Sequence, residues 1–302
     1  MLLMSKTTHD MKLENFDDLF TGNPIEIEKN LSQLLPSAQA LENKSIYLQI
    51  LSQIALAQAM QKRFDEAHKT LDTADENLTP EYHLAHVRIL LERGRVFHQS
   101  DNNVKTSPFF QKSYELSVKH SFDFHTINAA HMIAIVTENV DEKIEWNKKA
   151  IGLAKQTDDN RGRAWLGALY NNLAQNYIEA TQFNEALSTF KLCRESAEEK
   201  NESIIIRGAK WGIGRSLRSL NRLDEALSIQ HQLLKEYDEV VMKNELPIEL
   251  LIVGRGLVYE ELAEIHLAYA KKFSECAYHD LSKDPWLIKL EPKRLEKIKQ
   301  QM

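Results

Sequence analysis

The fold is decided by residues 165–197, which read WLGALYNNLAQNYIEATQFNEALSTFKLCRESA. Residues three or four positions apart lie on the same side of an α-helix, so each half of this stretch has one apolar face. The face in the first half consists of Tyr170, Leu173, Ala174 and Tyr177. The face in the second half consists of Phe183, Ala186, Phe190 and Cys193. Residues 179–182 predict a turn between them, and two such helices form an antiparallel hairpin.

The composition favours helices along the whole chain. The 302 residues are 43% hydrophobic and 27% charged, which is the balance of a globular protein. They include only 10 glycines and 7 prolines, whereas a β-sandwich or barrel needs many more turn residues. A chain that is poor in these breakers and rich in helix-forming residues is expected to be all-α.

The order of side chains in residues 165–197 resembles the tetratricopeptide repeat (TPR) family. Its helices carry aromatic, leucine, small and aromatic residues, followed by aromatic, alanine, aromatic and small ones, and every slot except a final proline is matched. Ala174 and Ala186 occupy slots where two helix backbones approach closely. The resemblance implies an all-α, right-handed superhelix, or solenoid, and a role in binding another protein.

Similar small-residue slots recur along the chain, near positions 67, 106, 143, 186, 226 and 276. Their spacing exceeds the standard repeat of about 34 residues, which predicts helices longer by a turn or two. We expect about six antiparallel helix pairs, the last with Tyr259 and Leu262 on its first helix and Phe273 and Cys276 on its second. Long repeats of this kind resemble those of peptide-binding regulators and motor-protein cargo adaptors.

We expect one continuous solenoid over residues 1–302, because no linker or low-complexity tract interrupts the pattern. Residues 10–40 are predicted to be N-terminal capping helices, 44–282 the repeats and 283–302 a C-terminal capping segment. The ending DPWLIKLEPKRLEKIK resembles that of bacterial stand-alone TPR proteins of about this length. That resemblance implies a soluble protein without further domains.

Charge and hydropathy restrict the partners. A net charge of −6 and a pI near 6.0 argue against nucleic acid, which is bound through basic surfaces. No apolar run reaches the roughly 18 residues of a membrane helix, and no secretion signal is visible. Two widely separated cysteines suit a reducing compartment. We therefore expect a cytoplasmic protein without a membrane partner.

The sequence spells out no catalytic constellation, so we expect neither an enzyme nor a cofactor. His83 and His86 share a helical side but lack further ligands for a metal, and His131 is expected to be a hydrogen-bonded core residue. The pair Gly212 and Gly214 lacks the remainder of a dinucleotide loop, and Gly214 fits a close-packing slot. The stretch 254–256, Gly-Arg-Gly, is expected to start or kink a helix.

Polar side chains on the first helix of each pair predict a binding groove, because this helix lines the inside of a TPR superhelix. Asparagine and glutamine can pair with a peptide backbone, arginine with a carboxylate, and tryptophan provides an apolar anchor. The alternative is a solvated groove whose arginines form internal salt bridges. The candidate contact residues are Arg88, Glu92, Arg95, Asn128, Asn171, Asn172, Gln175, Trp211, Arg215 and Arg218.

These patterns lead to a first hypothesis of a non-enzymatic scaffold that holds a protein or an extended peptide, possibly through a carboxylate or acidic segment. A second hypothesis is a peptide-responsive regulator whose superhelix changes pitch when a ligand binds. An enzyme on a helical scaffold is the third. The sequence leaves open whether the chain forms a homo-oligomer.

Overall fold

The structure, a computed structural model, describes residues 13, 16–20, 22–42, 44–100, 103–243 and 248–302. Across these residues the chain is helical and forms no strand, which confirms the predicted all-α repeat fold. It divides into two compact units, Met1–Leu166 and Gly167–Met302. The prediction of a single solenoid stays a prediction.

The first unit contains a 3-10 turn over Phe16–Leu19 that is followed by α-helices. In chain order these are α1 (Pro24–Ser32), α2 (Leu35–Ala40), α3 (Ser45–Met60), α4 (Phe64–Glu76), α5 (His83–Gln99), α6 (Asn103–Lys119), α7 (Asp123–Val136), α8 (Val140–Gln156) and the short α9 (Asn160–Ala164). The pairs α3–α4, α5–α6 and α7–α8 are hairpins with short connections.

The second unit contains two further hairpins, a long helix and a short tail. The hairpins are α10 (Leu166–Glu179) with α11 (Phe183–Glu198), and α12 (Ser203–Ser219) with α13 (Leu223–Lys243). They are followed by α14 (Ile248–Leu281), α15 (Pro285–Leu290) and α16 (Pro292–Lys299). The α10–α11 hairpin confirms the prediction from residues 165–197, since Ala174, Ala186 and Phe190 are fully buried.

Tight turns between helices recur with one backbone geometry. Thr181, between α10 and α11, has a left-handed φ of 58°. Its N–H donates to the carbonyl of Ile178 at 3.0 Å, and the N–H of Gln182 donates to that of Tyr177 at 2.8 Å. These two bonds form a Schellman motif, which satisfies carbonyls that the helix end leaves open. Left-handed residues also follow other helices, at Lys62, Ser121, Asn201 and Asn221.

Close approach of neighbouring helices depends on glycines in the slots that the sequence suggested. A β-carbon at Gly94 would lie 2.5 Å from the Phe110 ring, and one at Gly214 would lie 2.2 Å from the Gln230 side chain. Real β-carbons essentially never come this close to another heavy atom, so a larger residue at either position would require the Phe110 ring or the Gln230 side chain to move. Gly214 therefore has the predicted packing role.

Each unit contains short helices that cover apolar surface. Ile27 and Leu31 of α1 are buried against Ile50 and Ile54 of α3. In the second unit α16 packs on α14 and buries Leu295. The capping roles expected for these segments stay predictions. The part of the predicted N-terminal helices before Phe16, except Leu13, lies outside the described residues.

The predicted sixth hairpin is wrong, because α14 continues without a turn through the segment where its two helices were expected to meet. Phe273 is 65% exposed and Cys276 is exposed, so neither fills a packing slot. The segment HLAYAKKFSEC contains neither glycine nor proline, and its alanines, lysines and glutamates favour helix. The glycines at 254 and 256 likewise lie inside α14 rather than at its start, and Gly254 accommodates the Tyr237 ring.

Candidate binding cavity

The first helices of the three hairpins in the first unit, α3, α5 and α7, are joined by hydrogen bonds between polar side chains. Gln53 Nε2 on α3 donates to Glu92 Oε1 on α5 at 3.1 Å. Arg95 Nη1 donates to both oxygens of Glu92 at 2.8 Å, and its Nη2 donates to Asn128 Oδ1 on α7 at 2.6 Å. A network in which each group has a partner fixes the relative positions of these helices.

A cavity of about 500 Å³ lies beside this network, and side chains of the N-terminal 3-10 turn and of α9 form part of its wall. Its volume is within the range of about 300–1,000 Å³ that is typical of ligand pockets. It is lined by Asp17, Phe20, Gln53, Leu56, Arg88, Glu92, Arg95, Phe124, His125, Asn128, Arg161, Ala164 and Trp165. All of these belong to the first unit.

Aromatic side chains form the apolar wall of the cavity. The Phe124 and Trp165 rings meet edge to face with their centroids 5.8 Å apart. The guanidinium of Arg161 lies over the Phe124 ring, 4.7 Å from its centroid. Leu56 and Phe20 complete this wall. It therefore offers both apolar contact and positive charge to a bound group.

Two arginines from different helices converge on one carboxylate. Arg88 on α5 donates to both oxygens of Asp17 in the 3-10 turn, with Nη1 3.1 Å from Oδ2. Arg161 Nη1 on α9 lies 3.9 Å from the same Oδ2 and also pairs with Asp159 at 2.8 Å. The Arg88 side chain is only 7% exposed, whereas that of Asp17 is 37% exposed.

Two buried polar atoms on the cavity-lining side chains have no hydrogen-bond partner among the described residues: Arg88 Nε and His125 Nδ1. Burial, with the nearby charges of Arg88, Arg161 and Arg95, lowers the pKa of His125 to about 3. The ring is therefore neutral at physiological pH, and either ring nitrogen can accept or donate according to its tautomer. A buried polar group without a partner costs free energy, and a bound ligand can satisfy it.

Four of the residues predicted from the sequence line this cavity: Arg88, Glu92, Arg95 and Asn128. Their side chains also contact one another or a neighbouring helix, so the alternative of internal salt bridges describes part of their role. Arg88 Nη1 also donates a hydrogen bond to Gln49 Oε1 at 3.2 Å. Their assignment to a ligand stays a prediction.

The other six predicted residues lie in the second unit, and the structure gives several of them partners there. Trp211 Nε1 donates to the carbonyl of Leu257 at 3.1 Å, and Arg215 lies over the Trp211 ring. Arg218 donates to Glu261, with Nη2 3.2 Å from Oε2. Asn171, Asn172 and Gln175 on α10 are half-buried. Their role in binding also stays a prediction.

Sequence reasoning missed Asp17, Arg161, His125 and the aromatic wall. Gln53 could have been found, because it occupies on α3 the position that Glu92 occupies on α5, and the polar stripe continues through it. Asp17 could not have been found from the sequence, since its partner Arg88 is 71 residues away along the chain. Arg161 depends on α9, a one-turn helix outside the repeat pattern.

The histidines that the sequence singled out contact aromatic rings or are partly buried. His83 stacks on His120 with ring centroids 3.8 Å apart, and burial lowers the pKa of His86. Within the described ranges, no three His, Cys, Asp or Glu side chains come together as metal ligands would. Burial lowers the pKa of His131 to about 4, and its ring meets Trp165 edge on, with the ring centroids 5.5 Å apart.

None of the helices described combines the length and apolar character needed to cross a membrane.

Comparison with known proteins identifies the fold. Neither a protein-family model nor a curated protein matches the sequence. Among solved structures, the TPR-like repeats of a putative kinesin light chain from Podosopora anserina match with a TM-score of 0.52 and 15% identity, over 64% of this chain and 95% of that one.

Two further structures cover almost all of this chain. A Rap protein complexed with Competence and Sporulation Factor matches with a TM-score of 0.55 and 13% identity, over 96% of this chain and 87% of that one. The signal transduction ATPase PH0952 from Pyrococcus horikoshii, which has a tetratricopeptide repeat sensor, matches with a TM-score of 0.62 and 15% identity, over 96% and 46% respectively. The chain therefore has the fold of a TPR-like repeat protein.

Proposed function

We propose that this protein is a non-enzymatic binding protein that holds a short, extended peptide segment of a partner in the cavity between α3, α5, α7 and α9. The observation that carries the proposal is a pair of buried atoms, Arg88 Nε and His125 Nδ1, which have no hydrogen-bond partner in the described part of the chain and belong to side chains that line a cavity of ligand size. Buried polar atoms are nearly always satisfied in native proteins, so this pair points to a missing partner.

The cavity wall matches the chemistry of a peptide. A peptide presents backbone N–H and carbonyl groups at each residue, and the neutral ring of His125 and the Nε–H of Arg88 can bond to such groups. Side chains of the peptide would rest on Phe124 and Trp165, which provide large apolar contact area. The hydrogen-bonded network of Gln53, Glu92 and Arg95 holds the helices in place before binding, which lowers the entropic cost of association.

Two of the structural neighbours are described in terms of recognition. One Rap protein was solved in complex with Competence and Sporulation Factor, and PH0952 carries a tetratricopeptide repeat sensor. These descriptions favour a binding role, and they keep open the second hypothesis of a regulator that responds to a peptide. That regulator would bind at the same cavity and then change how another partner is received.

The proposal is tested by filling the cavity without altering its charges. Ala164 lines the cavity and is exposed, so Ala164→Trp would occupy the space while leaving the core intact. Ala168→Trp is the matched control, because Ala168 is also exposed but does not line the cavity. The measurement is the amount of a synthetic pool of N-acetylated random octapeptides retained by each protein, read by mass spectrometry after size exclusion.

We expect the wild type and Ala168→Trp to retain a common subset of peptides that Ala164→Trp loses by at least about tenfold, equivalent to roughly 1.4 kcal/mol. Equal retention by all three proteins would place the binding site elsewhere. Retention by none of them would contradict the peptide-binding function itself.

A further inference from the structure

We infer that Asp17 is an internal stand-in for a carboxylate of the ligand, which binds Arg88 and Arg161 by taking the place of the Asp17 side chain. This inference rests on the proposed function and defines both the ligand class and the way the site is occupied without ligand. The carboxylate can be a peptide C-terminus or an acidic side chain, since both present the same pair of oxygens to the arginines.

The geometry makes Asp17 the partner that can leave. Arg88 is buried and is also held by Gln49 and by its position 4.9 Å from the centre of the Phe16 ring. Phe16 itself is buried in the cluster formed with α1 and α3, so it anchors the 3-10 turn. Asp17 is partly exposed at the cavity edge. Its side chain can therefore turn towards solvent while the turn and both arginines stay in place.

The charges of the lining residues favour replacement of the Asp17 carboxylate by a ligand carboxylate over binding of a second carboxylate beside it. Glu92 is committed to Arg95, and Arg161 has Asp159 as a second partner, which leaves Asp17 as the carboxylate that neutralises Arg88. A second carboxylate placed beside Asp17 would meet a like charge at short range. Arg88 would in turn be a buried cation without a partner if Asp17 left and nothing replaced it. One carboxylate, internal or external, satisfies the site.

A purely structural ion pair would behave in the opposite way. If Asp17 only holds the 3-10 turn over the cavity, its removal loosens the lid and weakens binding of every ligand. If Asp17 competes with the ligand, its removal strengthens binding of carboxylate ligands alone. The sign of the effect and its dependence on the ligand's carboxylate therefore separate the two roles.

The test compares the wild type with Asp17→Asn, which keeps the side-chain shape but removes the charge. Glu28→Gln is the matched control, because Glu28 is a carboxylate on α1 that accepts hydrogen bonds from Arg63, Gln58 and Gln61 and does not line the cavity. Three octapeptide pools are used, each free of acidic residues except where stated: one with a free C-terminus, one amidated with a single Asp, and one amidated without any carboxylate. Retained peptide is quantified by mass spectrometry.

We expect Asp17→Asn to retain at least about five times more peptide than the wild type from one or both carboxylate pools, with no gain from the pool that lacks a carboxylate. The pool from which more peptide is retained shows whether the ligand carboxylate is a C-terminus or a side chain. Glu28→Gln should behave as the wild type. Equal or reduced retention of the carboxylate pools by Asp17→Asn would overturn the inference, while binding of all pools alike would leave the proposed function standing without it.

If no variant retains any peptide, the proposed function is contradicted. A second probe, acetate, then tests the exchange of carboxylates by itself. Sodium acetate is titrated into arginine-labelled protein, and the Nε–Hε resonances of Arg88 and Arg161 are followed by NMR. A shift in Asp17→Asn at acetate concentrations that leave the wild type unchanged supports the exchange of carboxylates. No shift in either protein overturns it.

Discussion

Gly212 and Gly208 lie on the same helix, α12, and replacing each by alanine tests the packing of the second unit. A β-carbon at Gly212 would lie 2.4 Å from Cε1 and Cζ of Phe190, a ring that is fully buried. Carbon atoms in contact are normally about 3.5–4.0 Å apart, so the new atom is more than 1 Å too close. A β-carbon at Gly208 meets nothing within 4 Å.

Both substitutions gain the same helix propensity, about 0.5–1 kcal/mol, so the difference between them isolates the clash. Overpacking a core costs about 1–3 kcal/mol. We expect Gly208→Ala to raise the free energy of unfolding. The free energy of unfolding of Gly212→Ala should be about 1–3 kcal/mol lower than that of Gly208→Ala. Urea titrations followed by circular dichroism measure both values. If Gly212→Ala stabilises the protein as much as Gly208→Ala does, the close approach of α11 and α12 at Phe190 is refuted.

Three other outcomes follow from the described residues. Thr181→Gly should stabilise the protein by up to about 1 kcal/mol in thermal unfolding, because glycine adopts the left-handed φ of 58° without strain, and destabilisation would contradict the Schellman turn. Ellman's reagent should label one thiol quickly in the native protein, the exposed Cys276, while burial raises the pKa of Cys193 to about 12 and protects it; loss of the fast phase in Cys276→Ser checks the assignment. His125 has a folded-state pKa near 3 against 6.5 when unfolded, so the unfolded chain binds more protons below pH 6.5 and stability should fall as the pH drops from 6.5 towards 3, by up to about 1.4 kcal/mol per pH unit. In His125→Asn this part of the pH dependence should disappear, and an unchanged profile would show that another group causes it.

The hairpins were predictable because the apolar face of each helix is formed by residues that are close together in the sequence. The order of aromatic and small residues in residues 165–197 reports which side of each helix is buried, and Ala174 and Ala186 fell where close packing requires them. The same reasoning failed for α14, since a periodic pattern shows which face could be buried but not whether a partner helix follows. Only a turn signal could have shown that, and the segment has none.

The cavity was predictable only in part. Arg88, Glu92, Arg95 and Asn128 come from the polar stripe on the first helices, which repeats with the hairpins. Asp17 and Arg161 come from segments outside the repeats, and their meeting depends on how the N-terminal turn folds back. Periodicity carries no information about such contacts, because they join residues that are far apart in the sequence.

The central claim, that the cavity of the first unit holds a partner's peptide, is tested most directly by photocrosslinking. Benzoylphenylalanine is placed at Leu56, which lines the cavity, and at Leu192 as a control, since Leu192 is 44% exposed on α11 and is not among the lining residues. Crosslinked peptides from the octapeptide pool are then identified by mass spectrometry. We expect crosslinks from position 56 that disappear when Ala164→Trp fills the cavity, and none of these peptides at position 192. The same peptides captured at both positions, or crosslinks at position 56 that survive Ala164→Trp, would contradict the account.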